Sequence, residues 1–245
     1  MSICSTRIII LALLTTLLTA AESTPRVLIV TTNHGHISMD DGSTTPTGYW
    51  LAEVAHPWTR FQDAGFTIHF ASPQGGFSPM DPRSFDLDDA ANRRFWETLA
   101  AVEGLLHNLP LASVDASTYD AIYFAGGHGT MWDFPDNPVV QDAILAIWEA
   151  GGIVAAVCHG PAALVGVRQE DGALLVDGKR LTAFSIAEER AVQLAEEVPF
   201  LLTGRLEEQG AKVVTADNWQ EQVVVDGRLI TGQNPASADA AGARI

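Results

Sequence analysis

Cys158 and His159 stand side by side within the stretch GGIVAAVCHGPAAL, Gly151 to Leu164. A thiol and an imidazole are the pair a cysteine nucleophile needs, one to attack an electrophilic carbon and the other to exchange its proton. The residues before them, IVAAV, are small or β-branched and read as a short strand buried on both faces. Gly160 and Pro161 follow at once, and proline suits a first helical turn, where no backbone donor is required. Strand, nucleophile, tight turn and helix make the layout of a nucleophile elbow. The layout predicts a thiol lifted toward solvent and acidified by the helix N-terminus below it, with an exposed imidazole alongside. An inert cysteine packed at a strand end is the competing reading, since free cysteine is among the most buried residue types. It leaves the Gly-Pro pair unexplained.

A second stretch, FAGGHGTMWDFPDN (Phe124 to Asn137), ends an apolar run with Gly126 and Gly127. Glycines at a strand end let backbone N–H groups face a ligand. The N–H of Gly127, with the one that follows the cysteine, predicts an oxyanion hole. His128, next in line, is read as a positioning residue beside the site. His34 and His36, in NHGHIS, sit two apart in a polar loop with no third ligand in evidence, so no metal is expected.

These residues need a scaffold, and the chain alternates strands with helices. RVLIVTT (26–32), FTIHFAS (66–72), YDAIYFAGG (119–127) and IVAAV (153–157) read as strands. TGYWLAEVAHPWTRFQDAG and NPVVQDAILAIWEAGG carry apolar residues at helical spacing, with a kink or break expected at Pro57. The pattern predicts an α/β fold, a mostly parallel sheet with helices on both faces. An insertion of about residues 75–118, charged and then helical, separates the second and third strands as a surface elaboration or a lid. Further on, LLVDGKRLTAF and VVVDGRLITG each hold Asp-Gly between apolar runs and read as hairpins.

The whole chain has 245 residues, 47% of them hydrophobic, enough for one large domain over 22–245. A formal charge of −16 with no basic stripe excludes nucleic acid as an expected partner. Arg7, the apolar run Ile8 to Leu18 and TAAES describe a secretory signal peptide over residues 1–21, cut after Ala20 or Ala21. No other run is long enough to span a membrane, so export to the periplasm or beyond is expected. Cleavage removes Cys4 and leaves Cys158 as the only thiol, which forbids an intramolecular disulfide.

AVCHGPAAL and AGGHGTMWDFPDN resemble the DJ-1/PfpI superfamily, in its Hsp31-like, glyoxalase III type branch. TGYWLAEVAHPW, ASPQGG, PMDPRS, TAFSIAEERAV, PFLL and DGRLITGQNPASA match the same branch in order. The resemblance implies a flavodoxin-like sandwich, a possible homodimer, and cofactor-free conversion of a small 2-oxoaldehyde to a 2-hydroxy acid. It implies Cys158 as nucleophile with His159 as its partner, Glu53 as the acidic residue beside the thiol, and Glu189 as the carboxylate that orients the histidine. Glu188 takes the last role if the alignment slips by one. A cysteine peptidase or deglycase-like hydrolase, and a chaperone or redox sensor, are the alternatives. Glutamine amidotransfer is disfavoured by the sequence itself, because that chemistry takes a histidine downstream of the nucleophile and His159 is the last one here.

Overall fold

The structure, a computed structural model, describes residues 24–245. The signal peptide read over 1–21 lies outside the described residues. No helix among those described is long and apolar enough to cross a membrane.

Seven strands form one sheet: β1 (Arg26–Val30), β2 (Thr67–Ser72), β3 (Leu109–Pro110), β4 (Ala121–Phe124), β5 (Ile153–Val157), β6 (Val223–Asp226) and β7 (Leu229–Gly232). Their order is β6-β7-β5-β4-β1-β2-β3, parallel throughout except for the β6–β7 hairpin at one edge. β1, β4 and β5 are almost wholly buried, which their unbroken Val, Ile, Ala and Phe runs require. Alternate residues serve opposite layers. Leu28, Ile122 and Val154 face a helix at Pro138–Glu149, while Ile29, Tyr123 and Ala155 face the Leu51–Asp63 helix, α1. The α/β sandwich expected from the sequence is therefore present.

β1 and β4 are neighbours whose following connections leave in opposite directions, the first toward β2 and the second toward β5. Open parallel sheets hold their ligands in the crevice outside the strand ends at such a switch point. α1 begins after β1, the glycine loop follows β4, and Cys158 follows β5. All three meet there.

Three local expectations are corrected. Of the kink or break expected at Pro57, the break is excluded, because α1 runs through it. Proline removes the N–H that would bond the carbonyl of Glu53, but the Tyr123 hydroxyl donates to that oxygen at 3.0 Å. The first Asp-Gly pair makes a turn but no hairpin. Leu175 and Val176 are consecutive and both buried, which an alternating strand forbids, and Arg180–Leu181 pairs in parallel with Lys212–Val213. The helix expected after the elbow is a single 3-10 turn, Gly160–Leu164. A turn that short supplies little macrodipole.

The insertion does more than decorate the surface. α1 has no cap of its own, because its preceding residue is Trp50. The Ser84 hydroxyl, from the insertion, accepts from the Leu51 N–H at 3.0 Å instead. Tyr49 donates its N–H to the Pro79 carbonyl, and Asp81 donates its N–H back to Tyr49, each at 2.9 Å. The insertion thus fixes the start of the helix that carries Glu53.

Candidate active site

Cys158 adopts φ of 60°, a left-handed conformation that a residue with a side chain holds at a penalty of order 1–3 kcal/mol. Its N–H donates to Gly232 at 2.9 Å and its carbonyl accepts from Phe184 at 2.8 Å, so strand β7 and a later loop hold the strained residue in place. A Cβ at Gly160 would strike the Phe124 carbonyl, which is why the turn needs glycine there. The elbow is as the sequence reads it. Its exposure is not: Cys158 is 4% exposed and His159 is fully buried. Phe184 lies over the imidazole with ring centroids 4.4 Å apart, and Trp219 packs behind Phe184.

His159 Nδ1 lies 3.4 Å from Cys158 Sγ, and its Nε2 lies 2.8 Å from Glu189 Oε2. The other Glu189 oxygen lies 2.9 Å from His128 Nε2. Burial pushes the Glu189 carboxyl up, but the His159 charge and the hydrogen bonds from both imidazoles outweigh it and hold the group far below the usual carboxylate range. An ionised Glu189 is acceptor-only, so each imidazole must present Nε2–H to it. For His159 that fixes Nδ1 as the atom facing the thiol. Burial, then the neighbouring His159 charge, pushes His128 down to about 4, so it sits beside Glu189 as a neutral ring. Glu188 does something else. It closes a capping box with Ser185 and accepts from the Trp219 N–H and the Asn234 side chain.

Glu53 is fully buried, and neither of its carboxylate oxygens has a hydrogen-bond partner of ordinary geometry. Burial drives its pKa up to about 8. Cys158 and the Gly126 N–H, which face the carboxyl, pull it part of the way back. Desolvation and an adjacent carboxylate act the same way on the thiol, which is pushed well above its ordinary value despite N–H groups of Gly127 and His159 directed at it. The acidified thiol expected from the sequence is therefore corrected. The pair shares too little water and too short a helix for a resting thiolate, and it favours a carboxylic acid beside a thiol.

The glycine loop is sterically fixed. A Cβ on Gly126 would lie 2.6 Å from the Val157 carbonyl and 2.8 Å from Cys158 Cβ, and one on Gly127, whose φ is 100°, would lie 2.7 Å from the Trp50 nitrogen. The N–H groups of Gly127 and His159, the pair expected to form an oxyanion hole, act on the Cys158 thiol and lower its pKa. Arg83 was not foreseen. Its guanidinium forks onto the buried Asp81, and its charge reaches both His128 and Glu189. The sequence held no signal for it beyond the PMDPRS match, because only the folded insertion brings it to the site.

His128, His159 and Glu189 each offer a ligand atom, all within 4.8 Å of one another, the one such three-residue group among the described residues. Their donors and acceptors satisfy one another as hydrogen bonds. His34 and His36 stack at 4.6 Å and stand apart from this group.

Comparison with known proteins agrees with the geometry. The model of the DJ-1/PfpI family matches residues 44–245. The chain is 32% identical over 235 residues to the glutathione-independent glyoxalase HSP31 of Saccharomyces cerevisiae, covering 89% of this chain and 95% of that protein. It is 31% identical to Glyoxalase 3 of Candida albicans, covering 87% and 93%. Among solved structures, the Rapid Encystment Protein of Francisella tularensis superposes with a TM-score of 0.86 at 39% identity, covering 91% of this chain and 97% of that one. Glyoxalase III of Candida albicans superposes with a TM-score of 0.80 at 28% identity, covering 89% and 94%.

Proposed function

This chain belongs to the DJ-1/PfpI family, and on that premise we propose that it is a glutathione-independent glyoxalase that converts 2-oxoaldehydes such as methylglyoxal to 2-hydroxy acids. Its relatives at about 30% identity over near full length carry that activity in their names. The observation that carries the reading here is the Glu53 carboxyl, buried and unpartnered against the only thiol among the described residues.

In this reading the sulfur of Cys158 bonds to the aldehyde carbon as His159 Nδ1 takes the thiol proton. The protonated Glu53 carboxyl gives its hydrogen to the aldehyde oxygen, which completes a hemithioacetal. Glu53, now a carboxylate, removes the hydrogen from that carbon while the neighbouring carbonyl oxygen receives a proton from His159. Glu53 then delivers its proton to the second carbon, and the first hydroxyl loses its proton to His159 as the thioester carbonyl forms. Glu53 then takes a proton from water as its oxygen attacks the thioester, and His159 returns its proton to the departing sulfur, which restores carboxyl, imidazole and thiol with a net addition of one water. A carboxyl poised near neutrality serves both the donating and the abstracting step. Glu189 holds the imidazole's orientation throughout.

The test is D-lactate formation from methylglyoxal by the purified chain without glutathione or added metal. Lactate lost in Cys158→Ser is the expected outcome. An active, folded preparation that cleaves casein or short peptides and forms no lactate would replace the reading with a hydrolase. The leader over residues 1–21 is proposed to direct export. Mass spectrometry of the exported protein then finds Ala21 or Glu22 first, and an intact Met1 there would remove the claim.

A further inference from the structure

We infer that Tyr123 is a positioning residue for Glu53, supplying through its hydroxyl the hydrogen bond that Pro57 denies to the Glu53 carbonyl. In an unbroken helix the carbonyl of residue 53 is bonded by the N–H of residue 57. Residue 57 is proline and has none, yet α1 continues and Pro57 is buried within it. A buried backbone carbonyl left unpaired is a substantial penalty, and proline's ring also pushes the carbonyl four residues back away from the helix axis. Tyr123 meets that oxygen at 3.0 Å from the adjoining strand β4.

Tyr123 is in turn fixed on every side. It is wholly buried, pairs with Ile29 and with the small Ala155 across the sheet, and meets Phe61 of α1 edge-on. Burial holds its phenol protonated, so it remains a donor. The contact falls on the backbone of the residue whose side chain faces the thiol. Proline at 57 therefore takes the helix's own donor away from the Glu53 carbonyl and hands that carbonyl to the sheet. The sheet also carries Cys158. The distance between acid and nucleophile is thus set by strand-to-helix registry within a few residues, and the rest of α1 can shift without disturbing it.

The inference rests on the reading of Glu53 as the proton carrier, and the test separates the two. Tyr123→Phe keeps the ring and removes the donor. Lactate turnover should fall roughly 10-fold with KM changed less than about 2-fold, since displacement of a reacting group lowers kcat rather than ground-state binding. Pro57→Ala restores an N–H at residue 57, so adding it to Tyr123→Phe should recover most of that loss. The second readout needs no turnover. The pH profile of Cys158 alkylation carries an inflection from Glu53, identified as the one absent in Glu53→Gln. That inflection should shrink in Tyr123→Phe and return in the double variant. Wild-type turnover and profile in Tyr123→Phe, or losses that Pro57→Ala does not restore, would overturn the inference. A chain that forms no lactate but shows the profile change and its rescue would refute the glyoxalase reading and keep this one.

Discussion

Replacing Glu53 by glutamine should abolish turnover, and its effect on stability should shift in the variant's favour as pH rises. In the unfolded chain the carboxyl ionises near 4.5, but in the fold burial holds it protonated up to about 8. A raised carboxylate favours folding fully below the unfolded value, and that benefit is lost progressively as pH rises toward the folded one. Each unit is about 1.4 kcal/mol, so wild type should lose about 3 kcal/mol relative to Glu53→Gln between pH 5 and pH 7.5. Glutamine brings an amide with no partner in this pocket, a penalty of about 1–3 kcal/mol. That penalty is independent of pH and cancels when the two pH values are compared. For a chain of this size the gap in Tm should widen by roughly 5–10 °C in favour of the variant. Thermal melts by circular dichroism at both pH values read it directly, and lactate assays on the same samples should show capture of methylglyoxal on Cys158 with almost no turnover. A Tm gap equal at the two pH values would refute the claim that the fold keeps this carboxyl protonated.

Burial and Glu53 raise the Cys158 thiol, so its alkylation by iodoacetamide should keep accelerating beyond pH 9 and should quicken at pH 8 in Glu53→Gln; a plateau reached below pH 7 would contradict this. His159→Ala should lower turnover by about 10²-fold, and Glu189→Gln by less, since an amide oxygen still accepts from one of the two imidazoles. Turnover unchanged in His159→Ala would remove the imidazole from the reaction. Gly126→Ala should lose both activity and about 2 kcal/mol or more of stability, because its methyl has no room between Val157 and Cys158; an unaltered Tm would show that the loop yields.

The alternation of strands and helices was legible because a parallel sheet buried on both faces leaves unbroken apolar runs, as in Arg26–Val30 and Ile153–Val157. The elbow was legible because Cys-His-Gly-Pro is a local demand for a strained turn, and the structure shows that strain at Cys158. Burial of the pair was not. It comes from Phe184 and Trp219, which approach from another part of the chain. The continuity of α1 through Pro57 was hidden for the same reason, since the donor that meets the Glu53 carbonyl is a tyrosine on β4. The Leu174–Asp177 segment shows a limit of pattern reading. Asp-Gly fixes a turn, but whether its flanks pair depends on where Leu175 and Val176 are buried. Arg83, Asp81 and Ser84 lie in a segment whose composition is that of a solvated loop, and only its docking on Tyr49 and Leu51 gives them a place at the site.

The bond from the Cys158 N–H to Gly232 ties the nucleophile to the last strand among the described residues. About 70 residues separate the two, so at a synthesis rate of about 5–20 residues per second the ribosome makes the cysteine several seconds before the strand that holds it. Until β7 docks beside β5, the Cys158 N–H lacks the carbonyl that holds its left-handed backbone. Completion of the C-terminal hairpin therefore supplies the acceptor for the Cys158 N–H and fixes the strained elbow late in synthesis.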